Sequence, residues 1–319
     1  MAVLVSVASG KGGVGKSVLV SNLGLLMARL GRDVVMADLD TGSADLATLF
    51  GEFRVRSSLE SFMKREVGSL TDALVPIAAA PKLRLLAGSG DSLATANPVY
   101  ATKQRILRHL RELPADVVLL DIGAGVGFNQ LDFFLAGDVQ VVVTTPDPTA
   151  LMDAYRFIKL AAMRKMVTLL SRNLTHRRAL SKRDFASIAE VRTALEEEGA
   201  RTDELHKVDE LAQSFAPKLV LNRASRGGRV NFVRVQKLLY EYTNAKLTVL
   251  GEVPQDELVE DSVRGYLPVA VGYPGSSAAL AMKGVAGQLL SECAVMASAS
   301  GDKVPWEDCL EQQEEVAAQ

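Results

Sequence analysis

Short apolar segments rich in β-branched residues alternate along the chain with segments in which apolar residues recur at helical spacing. The short segments predict buried strands at Val3–Ala8, Val34–Ala37, Leu83–Ala87, Val117–Leu120, Val139–Thr144, Leu219–Leu221 and Leu247–Val253. The helical spacing predicts helices that include Lys16–Leu30, Ala101–Glu112, Ala150–Leu170 and Phe232–Asn244. Strands that alternate with helices favour right-handed βαβ units. We therefore predict an α/β fold with a mostly parallel, twisted sheet and helices on both faces.

Two segments depart from this alternation. A helical, charged insertion is expected at about 161–215, because residues 156–183 include nine Lys or Arg and no acid, and residues 184–210 then include nine acids. Either two solvated helices face each other with opposite charges, or the basic half is a surface for anionic DNA or lipid. Residues 297–319, with six acids and one lysine, are expected to form a flexible, acidic tail. Residues 1–296 are expected to form one domain, because no Pro/Gly/Ser-rich linker divides them.

Composition and charge narrow the possible functions. The chain has 36 Lys and Arg against 38 Asp and Glu, a formal net charge of −2. This balance argues against a chain-wide nucleic-acid surface but leaves local basic patches open. The two cysteines, Cys293 and Cys309, are too few for a disulfide framework and fit a reducing compartment. No apolar run approaches the ~18 residues of a membrane span, and no basic start of a secretory signal is present. We therefore expect a cytoplasmic protein.

A glycine-rich loop follows the first predicted strand and opens the first predicted helix. Its sequence, GKGGVGKS, matches the P-loop pattern G-x-x-x-x-G-K-[ST] in the required strand–loop–helix context. Glycines let successive backbone N–H groups curl around phosphates, and the helix N-terminus adds partial positive charge. Lys16 would reach the β- and γ-phosphates, and the Ser17 hydroxyl would bind Mg²⁺. The loop predicts a nucleoside triphosphate site with contacts from Gly10, Lys11, Gly12, Gly13, Val14, Gly15, Lys16, Ser17 and Val18.

Three carboxylates and a second lysine accompany this loop. Asp38, Asp40 and Asp121 stand at the ends of predicted strands, where ligands bind in open α/β sheets. Each carboxylate could simply be the last residue of its strand. The three together favour the binding of Mg²⁺ and the positioning of water, with Asp121 placed to hold the Mg²⁺ shell. Lys11 is not needed for the β/γ contact, which Lys16 already makes. Its spacing suggests a reach across a dimer interface to the phosphates of another subunit.

These motifs resemble those of the MinD/ParA family of P-loop ATPases. The loop with its second lysine resembles the family's deviant Walker A motif, Asp38–Leu46 its switch I, and Asp121–Gly125 its D-x-x-A-G switch II. The stretch VTTPDPTALMDAY that starts at Val143 is similar to the FlhG branch, the MinD-like regulators of flagellar number and placement. The resemblance covers residues 1–160 closely and 216–290 more loosely.

The resemblance implies a Mg²⁺-dependent ATPase that dimerises around ATP. It implies that Lys11 reaches the ATP of the partner subunit and that Asp40 positions the attacking water. The catalytic residues expected on this basis are Lys11, Lys16 and Asp40. The residues expected around the metal are Ser17, Asp38 and Asp121.

Two residues farther along the chain are assigned to the base. Asn222, which ends a strand in LVLNR, resembles the family residue that reads the adenine, and Pro254 in EVPQD resembles the loop beside the base. For both residues a plain strand-ending turn is the alternative interpretation.

The resemblance also implies a switch. The ATP-bound homodimer would present a surface to a regulatory protein partner, to DNA or to a membrane, and hydrolysis would remove that surface. Turnover is expected to be slow and partner-stimulated, because no activating arginine is evident beside the site. The last predicted helix, about 276–296, has Lys283 as its only lysine. An interfacial helix needs several basic residues, so direct membrane binding is not expected.

Three functions remain open at this stage. The first is a MinD/FlhG-like positioning ATPase that acts through partner proteins. The second is a ParA-like partitioning ATPase that binds nonspecific DNA through basic patches, with Arg164, Lys165 and the segment 223–234 as candidates, beside Arg172, Arg177 and Arg178. The third is an ATP-dependent metabolic ligase on the same scaffold. An iron–sulfur carrier is excluded, because no cysteine precedes Cys293.

Overall fold

The structure, a computed structural model, describes residues 1–40, 45–55, 57–88, 98–171, 173, 176, 179–180, 185–225, 232–298 and 305–310. Its strands are β1 (Val3–Ala8), β2 (Val34–Leu39), β3 (Leu74–Pro76), β4 (Leu83–Leu86), β5 (Val117–Ile122), β6 (Val139–Thr144), β7 (Lys218–Ala224) and β8 (Thr248–Pro254). Its helices are α1 (Lys16–Arg29), α2 (Leu59–Met63), α3 (Tyr100–Arg111), α4 (Phe128–Leu135), α5 (Pro148–Leu170), α6 (Ile188–Glu197), α7 (Thr202–Gln213), α8 (Phe232–Thr243), α9 (Glu257–Arg264), α10 (Val269–Gly272) and α11 (Ser277–Ser298).

The strands form one sheet in the order β3-β4-β2-β5-β1-β6-β7-β8. All neighbouring pairs are parallel except β3 with β4, which is antiparallel. The predicted α/β fold is therefore confirmed, and each predicted strand is present with ends that agree or differ by up to three residues. The sequence analysis missed β3, an edge strand of three residues that ends in Pro76. Proline is tolerated there because an edge strand leaves one row of N–H groups unpaired.

Both faces of the sheet are covered by helices. Alternate residues of β1 point to opposite faces: Val3, Val5 and Val7 join the core under α1, α10 and α11, whereas Leu4 and Ala8 join the core under the helices α3 to α8. Burial on both faces explains why the parallel strands are nearly continuous apolar runs. None of the described helices combines the length and apolar content that a membrane crossing requires.

The segment at 161–215 differs from the expected insertion at its start. Residue 161 lies inside α5, where the buried positions Phe157, Ile158, Ala161 and Ala162 recur at helical spacing. The change of surface charge near residue 156 does not mark a helix boundary, because core packing continues through it. Within the described residues the two halves of opposite charge make contact where His176 Nε2 lies 3.2 Å from Glu204 Oε1. His176 is also buried.

The expectation of a flexible tail is wrong for residues 305–310. Residues 306–310 are helical, and Trp306, Cys309 and Leu310 are buried in the core beneath α3. Acidic composition suggested a solvated segment, but Glu307 pairs with Arg111. The acidic residues beyond 310 lie outside the described residues.

One buried carboxylate joins three helices. Asp132 of α4 is fully buried and accepts hydrogen bonds from Lys103 of α3 and from Arg164 of α5, at 3.1 Å from Arg164 Nε to Asp132 Oδ1. Arg164, a candidate DNA contact in the sequence analysis, is therefore engaged inside the molecule.

Substitution of Asp132 by Ala should destabilise the fold strongly. Removing one partner of a buried ion pair leaves uncompensated charge, which costs about 3–5 kcal/mol. Urea unfolding monitored by circular dichroism measures the loss. Asp261→Ala is the control, because the Asp261–Arg264 pair is exposed and should contribute less than about 1 kcal/mol. Equal losses in the two variants would contradict the role of Asp132.

Candidate nucleotide-binding site

The glycine-rich loop connects β1 to α1 and is held at two points. Gly13 and Gly15 have φ angles of 79° and 84°, in the left-handed region that favours glycine. A Cβ on Gly10 would lie 2.2 Å from the Asp153 carbonyl oxygen, and one on Gly15 would lie 2.4 Å from Asn222 Nδ2. No atom lies within 4 Å of a Cβ built on Gly12 or Gly13. The loop is therefore packed at its ends and open in the middle, where a phosphate would need space.

The sheet order places two carboxylates beside this loop. β2, β5 and β1 are neighbours, and the register pairs Asp38 with Asp121 and Val7 with Asp121. Both side chains are 1% exposed. Because the carboxyl ends of parallel strands meet at one edge of the sheet, two distant parts of the sequence meet at the P-loop.

Lys16 bridges the loop to switch II. Its ammonium group donates a short, buried hydrogen bond to Asp121 Oδ1, and the Ser17 hydroxyl also bonds to Asp121. Asp38 accepts the backbone N–H groups of Asp40 and Leu46, each at 3.1 Å. The structure thus brings Lys16, Ser17, Asp38 and Asp121 together, as the sequence predicted.

Burial determines the protonation of these carboxyl groups. Burial raises the pKa of Asp121, and Lys16 offsets part of that rise. Burial, followed by the negative charge of Asp121, raises the pKa of Asp38 to about 8. A single lysine therefore faces two buried carboxyl groups, and a bound cation would favour the ionised form of both. No cluster of three or more His, Cys, Asp or Glu side chains in the described part of the chain could hold a metal ion. Mg²⁺ fits this site, because it takes one or two carboxylates together with phosphate and water oxygens.

Asp40 lies where the two switch segments meet. A Cβ on Gly123 would lie 3.0 Å from Asp40 Oδ1, so the carboxylate of switch I packs on the backbone of switch II. Switch II also contacts the strand that enters the P-loop, since the Gly125 N–H donates to the Ser9 carbonyl at 3.2 Å. The switch I residues 41–44 lie outside the described residues.

A cleft on the other side of β1 unites the two residues assigned to the base. Asn222 at β7 and Pro254 at β8 line it together with Gly15 and Val18 of the P-loop. Asn222 Nδ2 also donates to the Val14 carbonyl at 2.8 Å, so Asn222 supports the loop directly.

Further residues that line this cleft were not singled out from the sequence. They are Val253, Gln255 and Asp256, which flank Pro254 in the EVPQD loop, together with Arg223, Val259, Glu260 and Met282. For one of these residues, Asp256, the sequence carries a recognisable helix N-cap pattern. Asp256 precedes α9 as its N-cap and accepts the Leu258 N–H; the Ala278 N–H, its strongest partner, lowers the pKa of Asp256. The others come together only through tertiary contacts.

Lys11 stands apart from the phosphate-facing group. Its Nζ lies 3.2 Å from Thr149 Oγ1 at the start of α5, and the contact is exposed. Lys11 therefore takes no part in the Lys16–Asp121 ion pair. Of the basic residues considered for DNA, Arg172, Arg177 and Arg178 lie outside the described residues.

The open loop, the buried lysine–carboxylate pair and the adjoining cleft define a P-loop nucleotide-binding protein. The domain family described as the CobQ/CobB/MinD/ParA nucleotide binding domain matches residues 5–269, and the chain belongs to this family. The resemblance to MinD/ParA proteins found in the sequence is confirmed.

Individual proteins with similar sequences or folds agree with this family assignment. The chain is 33% identical to the flagellum site-determining protein YlxH of Helicobacter pylori, over 53% of this chain and 57% of that protein. It is 26% identical to the antiactivator FleN of Pseudomonas aeruginosa, over 89% of this chain and 84% of that protein. Its fold is similar to that of the septum site-determining protein MinD of Pyrococcus horikoshii, solved with Mg-ADP. The TM-score is 0.62 at 19% identity, over 93% of this chain and 99% of that one.

Substitution of Gly15 by Ala should destabilise the protein even without nucleotide. The new methyl group would combine a left-handed φ with a close approach to Asn222, and such backbone strain costs about 1–3 kcal/mol. Gly12→Ala is the matched control in the same loop, because its φ is not positive and its surroundings are open. Thermal unfolding of both variants measures the difference, and equal midpoints would contradict the described loop geometry.

Proposed function

We propose that this protein is an ATP-hydrolysing switch that dimerises around Mg-ATP and acts through a regulatory protein partner in the cytoplasm. The main support is the buried Lys16–Asp121 pair beside an open P-loop, with Asp38 and Asp40 at the same sheet edge. A ligase would need a second substrate pocket, and the sequence offered none.

Each residue has a distinct task in this proposal. Lys16 exchanges Asp121 for the β- and γ-phosphates, so phosphate binding releases Asp121 within switch II. Asp40, already in contact with the Gly123 backbone, orients the attacking water through its carboxylate. Bound Mg²⁺ would neutralise phosphate charge and would be held by Ser17, Asp38 and Asp121. Asn222 and Pro254 would enclose the adenine in the cleft that they line.

Lys11 is the residue on which the proposed dimer depends. Its side chain is exposed and takes no part in the Lys16–Asp121 pair, so it is available to the phosphates of a second subunit once it leaves Thr149. A cation that arrives only on dimerisation would stabilise phosphate charge only in the dimer. Intrinsic turnover would then be slow and would depend on a partner.

The nature of the partner follows from the relatives and from the basic residues. Two relatives are named as a flagellum site-determining protein and an antiactivator, which supports a protein-regulating role in flagellar number or placement. DNA binding is less well supported, because Arg164 pairs with Asp132 and Lys165 lies 5.5 Å from the centre of the Phe215 ring.

Substitution of Asp40 by Ala should separate binding from hydrolysis. The variant should bind Mg-ATP normally, hydrolyse it about 10²-fold or more slowly because the water is no longer oriented, and accumulate as a dimer. Phosphate release and sedimentation velocity measure the two effects. Asp72→Ala, at an exposed position outside the residues assigned to the site, should match the unsubstituted protein. Turnover by Asp40→Ala at the unsubstituted rate would remove Asp40 from the reaction.

Lys11→Ala in the Asp40→Ala background tests the origin of the dimer. This double variant should still bind Mg-ATP, because Lys16 remains, but should stay monomeric at concentrations where Asp40→Ala is dimeric. An intact ATP-dependent dimer would contradict the assignment of Lys11.

A further inference from the structure

Two exposed aromatic rings meet outside the cleft. Phe53 is 64% exposed and Tyr266 is 47% exposed, and their ring centroids lie 4.9 Å apart with an angle of 84° between the ring planes. This is the edge-to-face arrangement that aromatic pairs prefer. Neither residue is among the described residues that line the cleft. The contact therefore joins two surface segments that are far apart in the sequence and that do not touch the base site through these rings.

Tyr266 has an unfavourable backbone conformation. It follows the end of α9 with a φ of 54°, in the left-handed region that bulky residues rarely adopt. Gly31 and Asn244, which follow α1 and α8 with φ angles of 93° and 51°, are residue types that tolerate this region. Gly265 directly precedes Tyr266 but has a φ of −83°. A tyrosine at the left-handed position, beside a glycine that does not take it, indicates that the side chain has a function there.

Tyr266 is attached to the helix that forms one wall of the cleft. α9 begins after its N-cap Asp256, and Asp256, Val259 and Glu260 all line the cleft. At the other end of α9 the Tyr266 N–H donates to the Val263 carbonyl at 3.0 Å. A base in the cleft would contact α9, and the position of α9 determines the position of the Tyr266 ring.

The other ring belongs to residues 45–53, here called the switch I arm. The arm is attached to the carboxylate site, because the Leu46 N–H donates to Asp38 Oδ2 at 3.1 Å. It turns at Gly51, whose φ is 71°, and a Cβ there would lie 3.9 Å from both Cβ and the carbonyl oxygen of Tyr266. The arm therefore meets Tyr266 through its backbone as well as through its aromatic ring.

We propose that Phe53 and Tyr266 are positioning residues that couple binding of the base in the cleft to the arrangement of switch I at Asp38. The coupling rests on the proposed function, in which adenine occupies this cleft. A base held against α9 stabilises the position of α9 in which Tyr266 contacts Phe53, and this contact holds the switch I arm at Asp38. Because coupling is reciprocal, binding of Mg²⁺ and triphosphate at the carboxylate site also strengthens binding of the base.

This coupling distinguishes two ligands. Mg-AMPPNP, a non-hydrolysable ATP analogue, fills both the phosphate site and the cleft, whereas Mg-tripolyphosphate fills the phosphate site alone. Loss of the ring contact should therefore weaken Mg-AMPPNP and leave Mg-tripolyphosphate unchanged. A residue with a purely structural role would weaken both ligands or neither.

Calorimetric titration of the full chain with the two ligands tests the coupling. Tyr266→Gly removes the ring and places glycine at the left-handed position, so its thermal midpoint should not fall. It should bind Mg-AMPPNP about three- to tenfold more weakly, the range that one aromatic pair supports. Tyr266→Phe retains the ring and should bind both ligands like the unsubstituted protein. Unchanged Mg-AMPPNP binding by Tyr266→Gly, or equal weakening of Mg-tripolyphosphate, overturns the proposal.

Further variants test whether the two rings act as one contact. Phe53→Ala should weaken Mg-AMPPNP as much as Tyr266→Gly does, and the combined variant should be no weaker than either single variant, because the two substitutions remove the same contact. Tyr240→Ala removes a ring of similar exposure, 50%, from α8 and should leave both ligands unchanged. Losses that multiply in the combined variant, or a loss in Tyr240→Ala equal to that in Tyr266→Gly, overturn the assignment.

Hydrogen exchange on the same samples reports on switch I directly. The Leu46 N–H is bonded to Asp38 and the Gly51 N–H to the Thr48 carbonyl, so peptides that contain residues 45–53 report on the arm. Mg-AMPPNP should protect these peptides several-fold more than Mg-tripolyphosphate does, and the difference should vanish in Tyr266→Gly. A difference of the same size in Tyr266→Gly overturns the proposal.

The two ligands also separate the coupling from the proposed function. If the unsubstituted protein and Tyr266→Gly both prefer Mg-AMPPNP to Mg-tripolyphosphate by the same ratio, the nucleotide site stands and the coupling is overturned. Equal binding of the two ligands by the unsubstituted protein would contradict the placement of adenine in the cleft, and the coupling with it.

Discussion

The buried hydrogen bond between Lys16 and Asp121 is the constraint on which the site depends. A lysine ammonium group removed from water needs a partner, and the described structure provides Asp121, at the end of the neighbouring strand. This pairing requires β1 and β5 to be adjacent and in register, and it requires the P-loop to bring Lys16 to the first position of α1. A triphosphate would offer Lys16 a stronger partner, so nucleotide binding would change this contact.

The two sides of β1 contribute different chemistry. On the β5–β2 side, Asp38, Asp40 and Asp121 gather at one edge because parallel strands end together. On the β6–β7–β8 side, Asn222 reaches back to the Val14 carbonyl and lines the cleft with Pro254. The P-loop lies between a carboxylate-rich half suited to phosphate chemistry and a cleft suited to a base. A bound nucleotide would contact both halves, with its phosphates on the carboxylate-rich side and its base in the cleft.

The fold was readable from the sequence wherever burial on two faces produced continuous apolar strands, as in β1 and β6. The P-loop was readable because phosphate binding restricts the residue types, and the positive φ angles of Gly13 and Gly15 agree with that restriction. The rest depends on tertiary contacts. Arg223 and Met282 enter the cleft from β7 and α11, whose proximity no local pattern reveals. The acidic composition around Trp306 favoured a flexible tail, whereas the side chain is buried in the core.

A double-mutant cycle on Lys16 and Asp121 tests the central claim most directly. The free energy of unfolding is measured without nucleotide for the unsubstituted protein, Lys16→Met, Asp121→Asn and the combined variant. The buried pair predicts that each single substitution costs about 3 kcal/mol. It also predicts that the combined variant loses about 2 kcal/mol less than the sum of the two single losses, because the two residues are in contact. Losses that add to within about 0.5 kcal/mol would show that the two residues act independently and would contradict the account.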